Sequence, residues 1–400
     1  MLNRLFLIAV FVIAQICTAG AQKKEISQAK DNVKAGKQLV EAEKSMRKLL
    51  SDSTCRSNEK IWLVLFDAVK KQYESVNEKM YLKQAADTSS LFAATYRMFG
   101  ILESLDSVDA APDRKGRVDI KYRKRHAEYL NTLRTNLYNG ALFQMNKKNY
   151  NVAFDYFAAY IDCANQPLFS AFDYKSTDKL LPRAAFYSVY CGYKSNNPGH
   201  TLRYADIAQT DTSRLDFVYQ YMAETYKVQK DTVKSLDVLE AGFARYPRSE
   251  YYFSHIFDYY FKCGNIERAN VFCDSAINAD SLNVIALLAK STVLFSQKRY
   301  DECIALCNKV ISIDKKCPDA YLNAGLSYFN QAIEADRAGK SIRDKRTQTA
   351  GLYRKAMPYL QTYRSLNPNG KDLWAMPLYT IYLNLNMGKE FDEIDTLLKR

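Results

Sequence analysis

Apolar and small residues recur along the chain with a period of 34 residues. The period is clearest in three contiguous blocks, 216–249, 250–283 and 284–317. In each block such residues stand at places 4, 8 and 11, and again at places 20, 24 and 27. Spacings of three and four residues put side chains on one face of a helix. Each block is therefore predicted to form two helices that bury their apolar faces together.

The residues at these places predict how the two helices of a block pack. Places 4, 8 and 11 hold Tyr219, Ala223 and Tyr226, then Phe253, Phe257 and Tyr260, then Leu287, Ser291 and Leu294. Places 20, 24 and 27 hold Ser235, Leu239 and Gly242, then Ala269, Cys273 and Ala276, then Cys303, Cys307 and Val310. Small residues at places 8 and 20 allow two helices to approach closely. Phe257 departs from this pattern, so the helices of the middle block are predicted to splay or shift locally.

Further units extend the pattern in both directions. One unit is predicted from about Arg134, a degenerate one over 180–208, another from Pro318 and a last one over 375–400. The second helix of the Pro318 unit comes late in the sequence. This delay predicts an insertion at about 336–355.

The region 22–110 is predicted to be helical but less regular. Amphipathic patterns over 38–50, 59–81 and 89–105 predict three helices, and 106–117 has the composition of a loop. We interpret this region as diverged repeats that cap the array. A separate small domain is the alternative.

The helix–turn–helix period of 34 residues resembles the tetratricopeptide repeat family. The resemblance covers about two-thirds of the chain, within residues 111–400. It implies an all-α fold, an α-solenoid of stacked repeats in a right-handed superhelix whose first helices line a groove. It also implies a non-catalytic scaffold or assembly factor that binds a partner protein or peptide in that groove.

In the resembled family, places 2, 5, 6, 9, 12 and 13 of each unit point into the groove. The candidate partner-binding residues implied by these places are Tyr221, Glu224, Lys227, Tyr251, His255, Asp258, Phe261, Phe295, Asn323 and Phe329. Aromatic side chains are frequent anchors at binding surfaces. The alternative is that many of these rings pack against neighbouring helices. Family members that clamp a terminal carboxylate carry lysine in the groove, and place 5 here holds no lysine, so carboxylate capture is not expected.

The first 21 residues have the three-part pattern of a secretory signal. Arg4 precedes an apolar run over 5–16, and a small-residue sequence ends at Ala21. Cleavage after Ala21 is predicted, with an uncleaved anchor as the alternative. Lipoprotein processing at Cys17 is not expected, because Ile16 precedes it. The chain is therefore expected to be exported, periplasmic or associated with the outer membrane, and not an integral membrane protein.

Basic residues exceed acidic ones, with 57 Lys and Arg against 44 Asp and Glu. One cluster consists of Arg114, Lys115, Arg117, Lys121, Arg123, Lys124 and Arg125, and a second lies within 337–355. These clusters suggest an alternative partner, an anionic envelope polymer such as a glycan or a lipid surface. Nucleic acid is not expected as a partner of an exported protein. The simpler interpretation is that both clusters are solvated helix faces.

The sequence contains no recognisable catalytic or cofactor-binding motif, so no enzyme activity, cofactor or metal is predicted. The three histidines, His126, His200 and His255, are dispersed along the chain. Eight cysteines follow the predicted signal. They are interpreted as small buried thiols, because several of them fall at core places. A disulfide framework is the alternative that export leaves open.

Overall fold

The computed structural model describes residues 22–338 and 342–399, and within these ranges the regular structure is helical, with no strand. The predicted signal at 1–21 lies outside the described residues. Contacts divide the chain into two compact units, with the boundary between Thr232 and Val233. The predicted division near residue 110 stays a prediction.

The helices of the first unit pack mainly against their neighbours in sequence. They are α1 (22–34), α2 (Leu39–Ser51), α3 (Glu59–Tyr81), α4 (Thr88–Asp109), α5 (Arg123–Asn146), α6 (Tyr150–Asp162), α7 (Tyr174–Thr177), α8 (Leu181–Lys194), α9 (Pro198–Arg203), α10 (Ala205–Ala208) and α11 (Leu215–Val228). Helices α2 to α6 contact one another in order, and α8 contacts α6, α9, α10 and α11. The core is apolar, with Leu65, Met98, Leu102 and Leu137 fully buried.

The second unit repeats a helix pair along the chain. It contains α12 (Thr232–Arg245), α13 (Glu250–Lys262), α14 (Ile266–Ala279), α15 (Val284–Ser296), α16 (Tyr300–Ile313), α17 (Pro318–Ala338), α18 (Ile342–Leu366), α19 (Lys371–Asn384) and α20 (Gly388–Leu398). From α13 onward each helix packs on the next, and the first helices α13, α15, α17 and α19 also contact one another in order.

The predicted register agrees with the burial of the side chains. In the third block, Leu287, Ser291, Cys303, Cys307 and Val310 are fully buried. The sequence analysis missed place 3. This place holds Val218, Tyr252 and Ala286 in the three blocks, and all three residues are buried. Tyr252 explains why place 27 of the block before it is Gly242, since a β-carbon there would lie 2.3 Å from the tyrosine ring.

One kind of turn closes the first helix of each of the three contiguous blocks. Place 15 has a positive φ, at Lys230 (60°), Gly264 (71°) and Lys298 (60°). The N–H of the following residue then donates to the carbonyl five residues earlier, at 2.9 Å in all three blocks. This is the Schellman motif, which ends a helix through one left-handed residue. The same turn recurs at Lys148, Asn196 and Asn386.

The region predicted as an insertion lengthens two helices of one hairpin. Helix α17 has 21 residues and α18 has 25, compared with 14 for α16. After the hairpin the register resumes with α19, where Trp374, Leu378 and Ile381 occupy places 4, 8 and 11 and are buried.

The loop predicted over 106–117 begins later than its composition suggested. Helix α4 continues to Asp109, and both Asp106 and Asp109 are buried. Their carboxylates are satisfied by partners that follow in the chain. Asp106 pairs with Arg123, and Asp109 accepts hydrogen bonds from the N–H groups of Lys121 and Tyr122.

Candidate partner-binding surface

The candidate site in the second unit is the face of the first helices α13, α15, α17 and α19 that carries places 2, 5, 6, 9, 12 and 13. It is called here the first-helix face. Seven of the predicted groove residues belong to this unit, and they lie on the first three of these helices. Successive first helices contact one another, so these places follow one another from helix to helix.

Asn323 on α17 has an amide whose orientation is fixed by its neighbours on α15. Its Nδ2 lies 3.1 Å from Ser291 Oγ and 3.1 Å from Thr292 Oγ1. Both hydroxyls donate their own hydrogen to the carbonyl of Leu288, so towards Asn323 they can only accept. The NH₂ group therefore faces α15, and the side-chain carbonyl is left as a hydrogen-bond acceptor on the first-helix face.

Polar and aromatic groups occupy the same face on α13. The Nδ1 of His255 lies 2.8 Å from the carbonyl of Tyr251, and the two rings are 4.3 Å apart. One turn further, exposed Asp258 accepts a hydrogen bond of 2.8 Å from Lys262. An exposed pair of this kind contributes little to stability. Its charges are therefore available to a partner at small cost to the fold.

The three predicted phenylalanines are half-buried and pack on other rings of the protein. Ring centroids lie 5.4 Å apart between Phe261 and Phe257, 5.9 Å between Phe295 and Tyr300, and 5.7 Å between Phe329 and Tyr353. Each ring therefore supports the scaffold and offers only part of its surface to a partner.

Helix α19 adds two apolar side chains that the sequence analysis missed. Met376 is 56% exposed and Leu383 is 54% exposed. Counted from Lys371, they stand at places 6 and 13, two of the places that point into the groove in the resembled family. Counting past the insertion would have revealed them, because α19 keeps the register of the earlier repeats.

The predicted groove residues of the first unit lie on α11. The ring of Tyr221 stacks on Tyr193 with centroids 4.6 Å apart, and Tyr190 and Phe217 complete the cluster. Burial in this cluster raises the pKa of Tyr221. Glu224 and Lys227 form an ion pair of 3.7 Å one turn away. Tyr221 is therefore a packing residue of its own unit as well as a surface ring.

Solved structures with the same repeat architecture were found. They include the C-terminal part of a tetratricopeptide repeat protein from Cytophaga hutchinsonii, 13% identical, with a TM-score of 0.42 over 64% of this chain and 91% of that one. A tetratricopeptide repeat protein from Parabacteroides merdae is 13% identical, with a TM-score of 0.34 over 63% and 97%. One from Bacteroides fragilis is 15% identical, with a TM-score of 0.30 over 66% and 98%. No protein-family model matches the sequence, and no curated protein matches it significantly.

The repeat geometry decides the architecture. The pairs α13–α14 and α15–α16 each pack two helices at the predicted spacing, and all three blocks of 34 residues end the first helix with a left-handed residue at place 15. The chain is a helix–turn–helix repeat protein. Its fold is an all-α array of stacked helix–turn–helix repeats.

The first basic cluster of this repeat protein lies at the connection between α4 and α5. Arg114, Lys115, Arg117 and Lys121 are in the connection, and the other three begin α5. Three of the seven cations are paired, Arg117 with Asp113, Lys121 with Glu59 and Arg123 with Asp106. In the second cluster, the side chains of Lys340, Arg343 and Lys345 lie outside the described residues.

The three histidines of the repeat protein are not arranged for acid–base chemistry. His126 is buried between the rings of Phe66 and Tyr122, and burial lowers its pKa to about 4. His200 stacks on Phe154 with centroids 3.7 Å apart. Within the described residues, no group of three His, Cys, Asp or Glu side chains could hold a metal ion.

The eight described cysteines of the repeat protein are free thiols, and six of them are buried. Cys303 and Cys307 lie one turn apart with their sulfur atoms 3.9 Å from each other. In the part of the chain that the structure describes, none of the helices is both long and apolar enough to cross a membrane.

Proposed function

We propose that the protein is a non-catalytic scaffold of the cell envelope that binds an extended segment of a partner protein on the first-helix face. The observation that carries this proposal is the fixed amide of Asn323. An extended segment has backbone N–H groups that need acceptors, and a side-chain carbonyl held in one orientation supplies one without a loss of rotamer freedom on binding.

Exposed apolar groups on the adjacent first helix favour the same partner. Helix α19 contacts α17 and presents Met376 and Leu383 to solvent. Methionine adapts its shape to different apolar surfaces and is common at binding sites for protein segments. A segment lying across α17 and α19 would therefore meet a polar anchor and an apolar contact on adjacent helices.

The location in the envelope is part of the proposal and depends on the predicted signal at residues 1–21. Export would place the scaffold in the periplasm or at the outer membrane, where an assembly factor meets other envelope proteins. Detection of the tagged full-length chain in the periplasmic fraction, with processing after Ala21, tests this part.

Photo-crosslinking tests the binding face directly. A photoreactive phenylalanine is placed at Met376, and the matched control carries it at Val271, which is 60% exposed on the second helix α14. We expect a specific envelope protein to be crosslinked from position 376 and not from position 271. Leu383→Asp should weaken the capture at least tenfold, while Val271→Asp should leave it unchanged. Equal capture from both positions would contradict the proposal.

A second candidate partner is an anionic envelope surface, a glycan or a lipid. The observation in its favour is that Arg114, Lys115, Lys124 and Arg125 have no ion-pair partner among the described residues. Binding through these charges should weaken steeply with ionic strength, whereas binding on the first-helix face should change little.

A further inference from the structure

The connection between α4 and α5, residues 110–122, is called here the basic loop, and its two ends are firmly held. Asp109 accepts hydrogen bonds from the N–H groups of Lys121 (2.8 Å) and Tyr122 (2.9 Å). Asp106 receives two bonds from the Arg123 guanidinium, at 2.8 and 2.9 Å. Because both aspartates are buried, these bonds fix where the loop leaves and rejoins the helices.

The tip of the basic loop is an ordered turn around Asp113. Its carboxylate accepts hydrogen bonds from the N–H groups of Lys115 (2.7 Å) and Arg117 (3.0 Å), and it also binds the Arg117 guanidinium. Gly116 has a φ of 77°, which glycine adopts without strain. The Asp113 charge is thereby used inside the turn, and Arg114 and Lys115 are left as exposed, unpaired cations at the tip.

Two apolar side chains of the loop are exposed beside these cations, although Val118 also borders the cleft beneath the loop. Val118 is 55% exposed and Ile120 is 39% exposed, and every residue from 111 to 121 is exposed. Lys124 and Arg125 begin the next helix and are also exposed. Large apolar groups together with unpaired cations are the combination that lies at the interface of an anionic bilayer.

The cleft beneath the basic loop is not suited to a small anion. Its lining includes the cations Arg56, Arg117 and Lys121, and four acidic side chains, Glu59, Asp109, Asp113 and Asp119. The cations of the first basic cluster that lack an ion-pair partner, Arg114, Lys115, Lys124 and Arg125, do not line this cleft. An extended anionic surface fits this arrangement better than a single phosphate or carboxylate.

We propose that the basic loop docks on the surface of a bilayer that contains anionic phospholipid. Arg114, Lys115, Lys124 and Arg125 contact the head groups, and Val118 and Ile120 enter the interfacial layer. This inference deepens the second candidate function and depends on it. A soluble polyanion would use the cations alone, so the two apolar residues select the lipid surface as the occupant.

Sedimentation with vesicles tests the proposal on the chain from residue 22 onward, because the apolar segment before it would itself bind lipid. The vesicles are phosphatidylcholine alone or an equal mixture of phosphatidylcholine and phosphatidylglycerol. We expect binding only to the mixture. Each cation near an anionic surface strengthens binding roughly fivefold, so Arg114→Gln with Lys115→Gln should reduce it by about 25-fold.

A matched control separates position from net charge. Lys315→Gln with Lys316→Gln removes two adjacent exposed cations from the turn between α16 and α17 and should leave binding nearly unchanged. Val118→Ser with Ile120→Ser should reduce binding about tenfold without changing the net charge. Circular dichroism of each variant checks that these exposed substitutions leave the fold intact.

Three results would overturn the proposal. Equal binding to both vesicle types would exclude charge recognition, and equal loss in the two lysine and arginine variants would exclude the basic loop as the site. Unchanged binding of the serine variant, with competition by soluble polyglutamate, would assign the loop to a polyanionic partner instead. None of these results bears on photo-crosslinking from Met376, so this inference and the first-helix proposal fail independently.

Discussion

The helix pairs α13–α14 and α15–α16 follow the same register but fill the space between their helices differently. In α13–α14, Phe253 stacks on Phe272 with centroids 5.3 Å apart, and Phe257 lies against Phe253 at 6.0 Å. In α15–α16 the corresponding space holds leucines together with Ser291, Cys303 and other small residues. The backbones of α13 and α14 accordingly approach less closely than those of α15 and α16.

The comparison indicates that the repeat conserves filled volume and not particular residues. Protein interiors are packed to nearly constant density, so a ring at place 8 must be accommodated by a wider separation of the helices. Ser291 permits the closer arrangement because it adds little volume and satisfies its hydroxyl on the carbonyl of Leu288. Substitutions that change the volume of the buried side chains between the helices test this interpretation.

The largest effect is expected from Ser291→Phe, which puts a ring at place 8 of the closely packed pair. Ser291 is fully buried, so we expect a loss of about 3 kcal/mol in the free energy of unfolding. The measurement is urea unfolding followed by the fluorescence of buried Trp374 in a Trp62→Phe background, since the chain has 2 tryptophans. Ser296→Phe, at an exposed site of the same helix, is the control and should cost little. A cost below about 1 kcal/mol would mean that α15 and α16 separate freely.

Gly242→Ala should have the second-largest effect, because it tests how the aromatic region is joined to the helix before it. The added β-carbon would lie 2.3 Å from the ring of Tyr252, which is fully buried and cannot move aside. We expect a loss of about 2 kcal/mol by the same fluorescence measurement. Adding Tyr252→Leu to the Gly242→Ala variant should restore part of the lost free energy of unfolding.

Gly351→Ala in α18 serves as the control for this substitution, since nothing lies within 4 Å of its β-carbon position. There the change should stabilise the helix by about 0.5–1 kcal/mol. If Gly242→Ala were equally harmless, the close approach of Tyr252 would not be a constraint on the repeat.

Asn323→Ala should cost about 1 kcal/mol, because it removes two hydrogen bonds that brace α15 against α17. The hydroxyls of Ser291 and Thr292 keep their bonds to Leu288, so no buried donor is left unpaired. The control is Gln331→Ala, also on α17, which removes one exposed hydrogen bond to Asp301. It should lower the free energy of unfolding by less than Asn323→Ala. A larger loss for Gln331→Ala would show that surface bonds brace the pair instead.

The smallest effect is kinetic and concerns the buried cysteines. Burial raises the pKa of Cys273 in α14 to about 12, so at neutral pH it is a protected thiol that reacts only when the helices open. We expect Cys273 to be alkylated a few-fold faster than Cys307, whose pKa is also raised, because α13–α14 is packed less closely. Mass spectrometry at successive times measures this, with exposed Cys263 labelled first. The reverse order would mean that the separation of the two helices does not determine how often they open locally.

The repeat register could be predicted from the sequence because burial follows a fixed spacing. Phe257 illustrates how far this reasoning extends, since a ring at a place for small residues predicts a wider helix pair, and the structure agrees. The reasoning failed where partners are distant in sequence. Asp106 and Asp109 were assigned to a loop, because the groups that satisfy them lie 12 or more residues later.

The candidate site was less predictable than the fold. The place of Asn323 could be counted, but the direction of its carbonyl depends on two hydroxyls more than 30 residues earlier. Met376 and Leu383 were missed because the insertion interrupts the count of 34. The ring of Phe329 was assigned to the groove without knowledge that Tyr353, which the insertion brings onto α18, packs against it.

The lengthened hairpin of α17 and α18 separates the reach of one repeat from the packing of its neighbours. At 1.5 Å per residue, α17 is about 31 Å long and α18 about 37 Å, against about 21 Å for α16. The extra turns are added without displacing any buried place, because Trp374, Leu378 and Ile381 resume the register after them. The reach of this one hairpin can therefore change by whole turns while the buried places of the neighbouring repeats stay the same.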